Sequence, residues 1–352
     1  MGVFIKQILD ADILNTLTSS FDPGMIQNEK VGKAAREFVK TIKALSLYPS
    51  HQELIDRFEI LKKNNPSLHA HRTLFLWQMS QAGYQLTSLN LKDVDFLQSN
   101  TLKCQASFIS VLLDDVCDLG RDKTVFNKCV LALRGKIDSD QTGLYQLIAD
   151  TWSMVQNELS QTPNYVLLRD MLEKAYQEWI ASFEYCLWLY EAPHFEEKWE
   201  KRLEIIAHTS LLYMAGLIDL LFVPNLSKQQ ALAAAQLFLR AQKIVQAANW
   251  ASTWPRELAQ QDFTSGVFSI ALENGWVEWN DLKNKPFEEV KQKIQSSPSE
   301  NYLWDECEKL RVESVEIVQE INLPELSGYV NSLSPILFLF LASKQEFSNY
   351  LH

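Results

Sequence analysis

Apolar residues recur at intervals of three and four through most of the chain, the spacing that lines one face of an α-helix. Runs that alternate apolar with polar residues, and Asn-Gly turns between β-branched runs, are missing. The pattern therefore predicts an all-α protein. Pro49, Pro66, Pro163, Pro193, Pro224, the stretch from Pro286 to Pro298 and Pro324 each fall between periodic runs and cut the chain into segments. The predicted helices are 31–47, 51–63, 68–82, 91–118, 124–134, 141–160, 166–190, 195–222, 227–257, 264–273, 287–296, 300–320 and 325–349. Segments such as LIADTWSMVQ and SFEYCLWLY are apolar on more than one side, which predicts inner helices ringed by others around an enclosed ligand site.

No repeat, low-complexity tract or Gly/Ser linker marks a border, so residues 1–352 read as a single domain. An apolar content of 47% supplies a substantial core. The net charge of −11 argues against a nucleic-acid surface, which needs clustered Lys and Arg. Five scattered cysteines, Cys104, Cys117, Cys129, Cys186 and Cys307, show no metal-ligand spacing and fit reduced thiols in a cytoplasm. The start, MGVFIKQILDADIL, does not read as a secretion signal or a myristoylation site. PILFLFLA, Pro335 to Ala342, falls far short of the ~20 residues that cross a bilayer, so no membrane insertion is expected and the location expected is cytoplasmic.

Candidate chemistry enters where charge interrupts the apolar pattern. In SVLLDDVCDLGRD, Asp114 and Asp118 stand one helical turn apart on one face, with Asp115 beside them. Converging carboxylates make a site for a hard divalent cation such as Mg²⁺, which completes its shell with water and phosphate oxygens. A solvated helix end, its acids paired with Arg121 or Lys123, explains the same residues. In ANWASTWPRELAQQD, Asn249, Thr253 and Glu257 recur every four residues and offer an amide oxygen, a hydroxyl and a carboxylate along one stripe. Arg256 can donate to phosphate oxygens, and Pro255 should bend or break its helix.

Together the two clusters resemble the aspartate-rich motif and the N-D-x-x-[ST]-x-x-x-E motif of class I terpene synthases of bacterial type. Pro255, Arg256 and the following LAQQDFTSGVFSIALENG, with Asp262 in an acidic place, extend the likeness. Trp250 stands where the family has Asp, a position outside the metal triad. The resemblance implies the class I terpenoid synthase fold, a helical bundle around a central apolar cavity. It implies metal binding by Asp114 and Asp118 and by Asn249, Thr253 and Glu257, which also form the catalytic set, with three Mg²⁺ ions. Asp115 is expected just behind them. Arg256 and Arg202 are expected to hold diphosphate, with His208 an alternative to Arg202 as the sensing residue. The family's C-terminal Arg-Tyr pair survives only as Tyr329, preceded by Gly328.

The activity so implied is ionisation of a linear isoprenyl diphosphate and cyclisation of the carbocation to a terpene hydrocarbon or alcohol. The altered sensor and missing Arg-Tyr pair favour geranylgeranyl diphosphate over farnesyl diphosphate as substrate, a diterpene over a sesquiterpene product. Among ten Trp, eighteen Phe and eleven Tyr, the expected wall residues are Phe108, Tyr185, Trp188 and Trp250, then Trp152, whose aromatic faces would shield a cation. Cys117 is expected as a small packed side chain. The alternatives are a chain-elongating isoprenyl diphosphate synthase, which would want a second D-D-x-x-D, and a non-catalytic helical binding protein. Expected partners are the diphosphate substrate and a second copy of the chain in a homodimer.

Overall fold

The computed structural model describes residues 16–17, 29–44, 51–64, 70–137, 143–191 and 198–349. Among these residues there are fifteen α-helices and no strand, so the chain is all-α as the periodicity predicts. The helices are α1 Glu29–Ala44, α2 Gln52–Asn64, α3 Ala70–Leu86, α4 Asp93–Asp115, α5 Lys123–Leu133, α6 Leu144–Ser160, α7 Tyr165–Glu191 and α8 Trp199–Ile206. They continue as α9 Leu212–Leu220, α10 Lys228–Ala259, α11 Gly266–Glu273, α12 Trp279–Asn284, α13 Phe287–Gln295, α14 Ser299–Ile321 and α15 Leu333–Asn349. Predicted helix ends at 45–47, 68–69, 141–142 and 195–197 lie outside the described residues.

Local sequence explains several boundaries. Asp122 caps α5 by accepting from the amides of Thr124 and Val125 at 2.8 and 3.1 Å. Ser227 and Gln230 form a reciprocal capping box at the start of α10. Pro255 sits inside α10 without ending it, although its ring nitrogen cannot donate to the preceding turn.

The inner helices are not the ones the apolar runs suggested. In α6 the buried residues Leu147, Ile148, Thr151, Trp152, Val155 and Leu159 form one stripe, and α7 leaves Trp188 48% exposed. Every residue of α9 is buried instead, and α4 and α10 are buried around most of their girth. α10 packs against α9, α14 and α15, while α4 packs against α3 and α6. Gly216 lets α9 approach α10 closely: a Cβ there would stand 2.4 Å from the Phe238 ring.

Two further departures shape the interior. The predicted helix 195–222 is broken: a 3₁₀ turn, Ala207–Ser210, separates α8 from α9, and the two halves meet at 55°. Leu211 takes a left-handed φ of 59° there, a conformation that costs a non-glycine residue about 1–3 kcal/mol. The predicted helix 325–349 likewise divides into a 3₁₀ turn, Pro324–Leu326, and α15.

Deep in the bundle Lys103 of α4 pairs with Asp219 of α9, Nζ to Oδ1 at 2.8 Å, with both side chains almost fully buried. Lys103 Nζ also donates to Ser88 Oγ at 2.6 Å, and Asp219 accepts from the Leu89 amide at 3.1 Å and from the Ser99 hydroxyl. All five cysteines are free and buried. Among the described residues no single helix is long and apolar enough to cross a membrane.

Candidate active site

A cavity of about 210 Å³ opens between α3, α4, α10, α15 and the break before α9. Its apolar lining comes from residues such as Leu76, Met79, Phe183, Ile336, Leu339 and Phe340, with Ser80, Ser107 and Ser110 among them. Its other part is acidic and carries Asp114, Asp118, Asn249, Thr253, Glu257 and Asp262. The two sequence clusters thus converge on one space, from α4 on one side and α10 on the other.

The local backbone decides which acids point inward. α4 passes at Val116 into a π-helical turn, Val116–Gly120, which widens the spacing around Asp118. Asp114 and Asp118 both line the cavity, whereas Asp115 points back into the core and accepts from the Thr73 hydroxyl of α3. On α10 the stripe runs Val245, Gln246, Asn249, Trp250, Thr253, Arg256 and Glu257, all lining the cavity. Thr253 Oγ1 lies 2.7 Å from the Asn249 carbonyl and 2.5 Å from Glu257 Oε1. Arg256 Nη2 stands 3.6 Å from Glu257 Oε1.

This crowding is visible in the acids' proton affinities. Burial, and after it the charge of Asp262, pushes the Glu257 carboxyl up to about 8, against a pull downward from Arg256. Asp262 is raised by burial and then by Asp118, although the Thr264 amide and hydroxyl donate to it at 2.9 and 2.7 Å. Tyr190 of α7 places its hydroxyl 3.3 Å from Asp118 Oδ1 and also bonds Asp262, so one phenol spans the two acid-bearing segments.

The donor chemistry fits a hard divalent ion. Glu257 Oε2 is buried with no hydrogen-bond partner among the described residues, which is costly for a carboxylate unless a cation or proton meets it. Among the described residues no three His, Cys, Asp or Glu side chains group closely enough to hold a metal by themselves. The possible donor sets are therefore mixed: carboxylates of Asp114 and Asp118 on one side, and amide, hydroxyl and carboxylate of Asn249, Thr253 and Glu257 on the other.

Other expected residues fall elsewhere. Arg202 is fully buried outside the cavity lining, with Nη1 3.5 Å from the Phe263 carbonyl, where it supports the turn that carries Asp262. His208 faces Glu178, Nδ1 to Oε2 at 3.8 Å, and burial lowers its proton affinity. Tyr329 is buried against Phe238, ring centroids 5.3 Å apart, away from the cavity. Phe108 packs into the core against Trp77 at 4.6 Å, Tyr185 stacks on the half-exposed Trp188 at 5.6 Å, and Trp152 stacks on Tyr176 at 5.2 Å. None of these lines the cavity, whereas Trp250 does, with its ring against Gly266, where a Cβ would come within 2.4 Å. Cys117 is packed and buried, and burial raises its thiol well above the ordinary range.

Sequence reasoning missed the wall from the helix break and α3. Ile206, Thr209, Ser210 and Leu212 line the cavity. The carbonyls of Thr209 and Ser210, released by the break, accept from Ser110 Oγ at 3.0 Å and Tyr84 Oη at 2.9 Å. Ser107, Ser110 and Val111 continue the Asp114 face of α4 inward at helical spacing, so that part of the wall was readable.

No protein-family model matches the chain, and no curated protein matches it. Among solved structures it is similar to the linalool/nerolidol synthase from Streptomyces clavuligerus, crystallised in complex with 2-fluorogeranyl diphosphate. The two are 13% identical, with 82% of this chain and 94% of that one covered, at a TM-score of 0.47.

Proposed function

We propose that residues 1–352 act as one class I terpene synthase domain, a Mg²⁺-dependent cyclase that ionises a linear isoprenyl diphosphate and guides its carbocation to a cyclic terpene. The observation that carries this reading is the convergence of Asp114 and Asp118 with Asn249, Thr253 and Glu257 on one cavity that Leu76, Met79, Phe183, Ile336, Leu339 and Phe340 also line. An acidic, hard-donor end joined to an apolar end suits a substrate with a metal-binding head and a hydrocarbon tail.

Breaking the allylic carbon–oxygen bond leaves both electrons on diphosphate and a cation on the chain. Magnesium held by the two donor sets would supply the Lewis acidity that stabilises this leaving group. Arg256, buried beside Glu257, is placed to donate to diphosphate oxygens. Trp250, Phe183 and Phe340 present aromatic surface to the cavity, which shields a cation and excludes water. The volume of about 210 Å³ lies below the ~300–1,000 Å³ of ordinary small-molecule pockets, which favours a C15 over a C20 chain and reverses the preference drawn from the altered sensor.

The test incubates purified protein with Mg²⁺ and farnesyl or geranylgeranyl diphosphate and identifies products by mass spectrometry. The expected result is a terpene hydrocarbon or alcohol, with farnesyl diphosphate the better substrate. Absence of product from both rejects the cyclase. A lengthened diphosphate on adding isopentenyl diphosphate assigns the site to chain elongation instead.

A further inference from the structure

A second concavity, of about 280 Å³, lies back to back with the acidic mouth of the main cavity. Thr264 lines both spaces. Tyr190 forms the partition: it lines the smaller pocket, while its hydroxyl meets Asp118 and Asp262, which line the larger one. Charge is sorted across this wall. The smaller lining holds Arg121 and Lys283 and no Asp or Glu, in a chain of net charge −11.

Both cations are exposed at the rim of the pocket and lie over aromatic rings. Arg121, in a left-handed conformation with φ 46°, lies 4.5 Å over the Tyr190 ring and donates from Nη2 to the Gln260 carbonyl at 2.7 Å. Those contacts use part of a guanidinium that carries five N–H groups. Lys283 Nζ sits 4.9 Å over the Trp279 ring and forms no salt bridge among the described residues. Gln261 and Asn284 add side-chain amides to the same lining. Two cations over aromatic rings, with two side-chain amides and no Asp or Glu in the lining, make a pocket for an oxyanion.

We propose that this pocket is a metal-independent binding site for a phosphate-type anion, placed to receive diphosphate at the mouth of the main cavity. That the physiological anion is diphosphate rests on the proposed function; the anion site itself does not. The position suits a group that arrives before, or leaves after, engagement with the acidic end.

The test titrates the full chain with inorganic diphosphate in EDTA, followed by tryptophan fluorescence and by calorimetry. Saturable binding is expected. Lys283→Gln should weaken it about tenfold or more, the loss of one charge-assisted contact. Trp279→Phe should remove the fluorescence change and keep the calorimetric heat. No saturable binding, or equal binding by Lys283→Gln, overturns the proposal. Binding without terpene formation would reject the cyclase and leave the anion site standing; terpene formation without metal-free binding would do the reverse.

Discussion

Glu257→Gln should abolish diphosphate release and, in the absence of metal, make the protein more stable. The first effect follows from the donor set: Gln keeps the shape of the side chain but removes the negative charge facing the cavity. Loss of a preorganised charge at an ionisation site costs at least about a hundredfold in rate. The second effect follows from burial. Glu257 is 5% exposed, lacks a partner at Oε2, and its carboxyl is pushed up to about 8 from an ordinary 4.5.

The sign of the pH dependence is fixed by that direction. The folded chain holds this proton more tightly than the unfolded chain, so stability from the group is fully present below the ordinary carboxylate pKa. It is lost as pH rises through about 8. Asp262 is raised as well, so it contributes in the same sense. Thermal unfolding in EDTA between pH 5 and pH 9 should therefore show the wild type losing stability with rising pH, and Glu257→Gln losing less. Added Mg²⁺ should restore the wild type at high pH by binding the folded state, and stabilise the variant by less, through Asp114 and Asp118 alone. A variant that unfolds earlier than wild type at pH 9 would refute the buried-charge argument. The site is thus expected to give up stability for a charge that metal later satisfies.

Lys103→Met should produce the largest loss of stability in the chain without touching the cavity. Removing the lysine leaves Asp219 buried, with only the Ser99 and Leu89 donors, and breaking such a pair costs about 3–5 kcal/mol. Asp219 ties α4, α9 and the turn after α3 together, so loss of its lysine partner strains all three at once. The double variant Lys103→Met/Asp219→Asn should recover much of the loss, because the stranded charge is gone. Urea unfolding of the two single variants and the double one checks this. Strictly additive losses would show that the two residues act independently.

Much of the fold was legible because apolar residues recur at helical spacing and prolines punctuate the segments between helices. What escaped was set by tertiary contacts. The break at Leu211 carries no glycine or proline; it is held by Ser110 and Tyr84, residues distant in sequence that accept the job only once the bundle has formed. The interior helices were misjudged for a related reason. Aromatic runs in α6 and α7 look apolar all round, yet Trp188 lies on the surface, while α9 is buried on every side. Asp114, Asp118, Asn249, Thr253 and Glu257 could be grouped from the sequence because helical spacing fixes which positions share a face, and all five line the one cavity. Phe108 and Tyr185 could not, since which aromatic side chains border a cavity depends on the crossing of several helices. The Lys103–Asp219 pair left a trace in the sequence: Asp219 is a lone charge in the apolar run LLYMAGLIDLLFV.

The most direct measurement of the central claim is diphosphate released from farnesyl diphosphate as Mg²⁺ is titrated into metal-stripped protein. The expected result is no release in EDTA, a saturable rise with Mg²⁺, and no rise in Asp114→Ala or Glu257→Gln. Release that is independent of Mg²⁺, or a full rise in either variant, would contradict a site built from these two clusters.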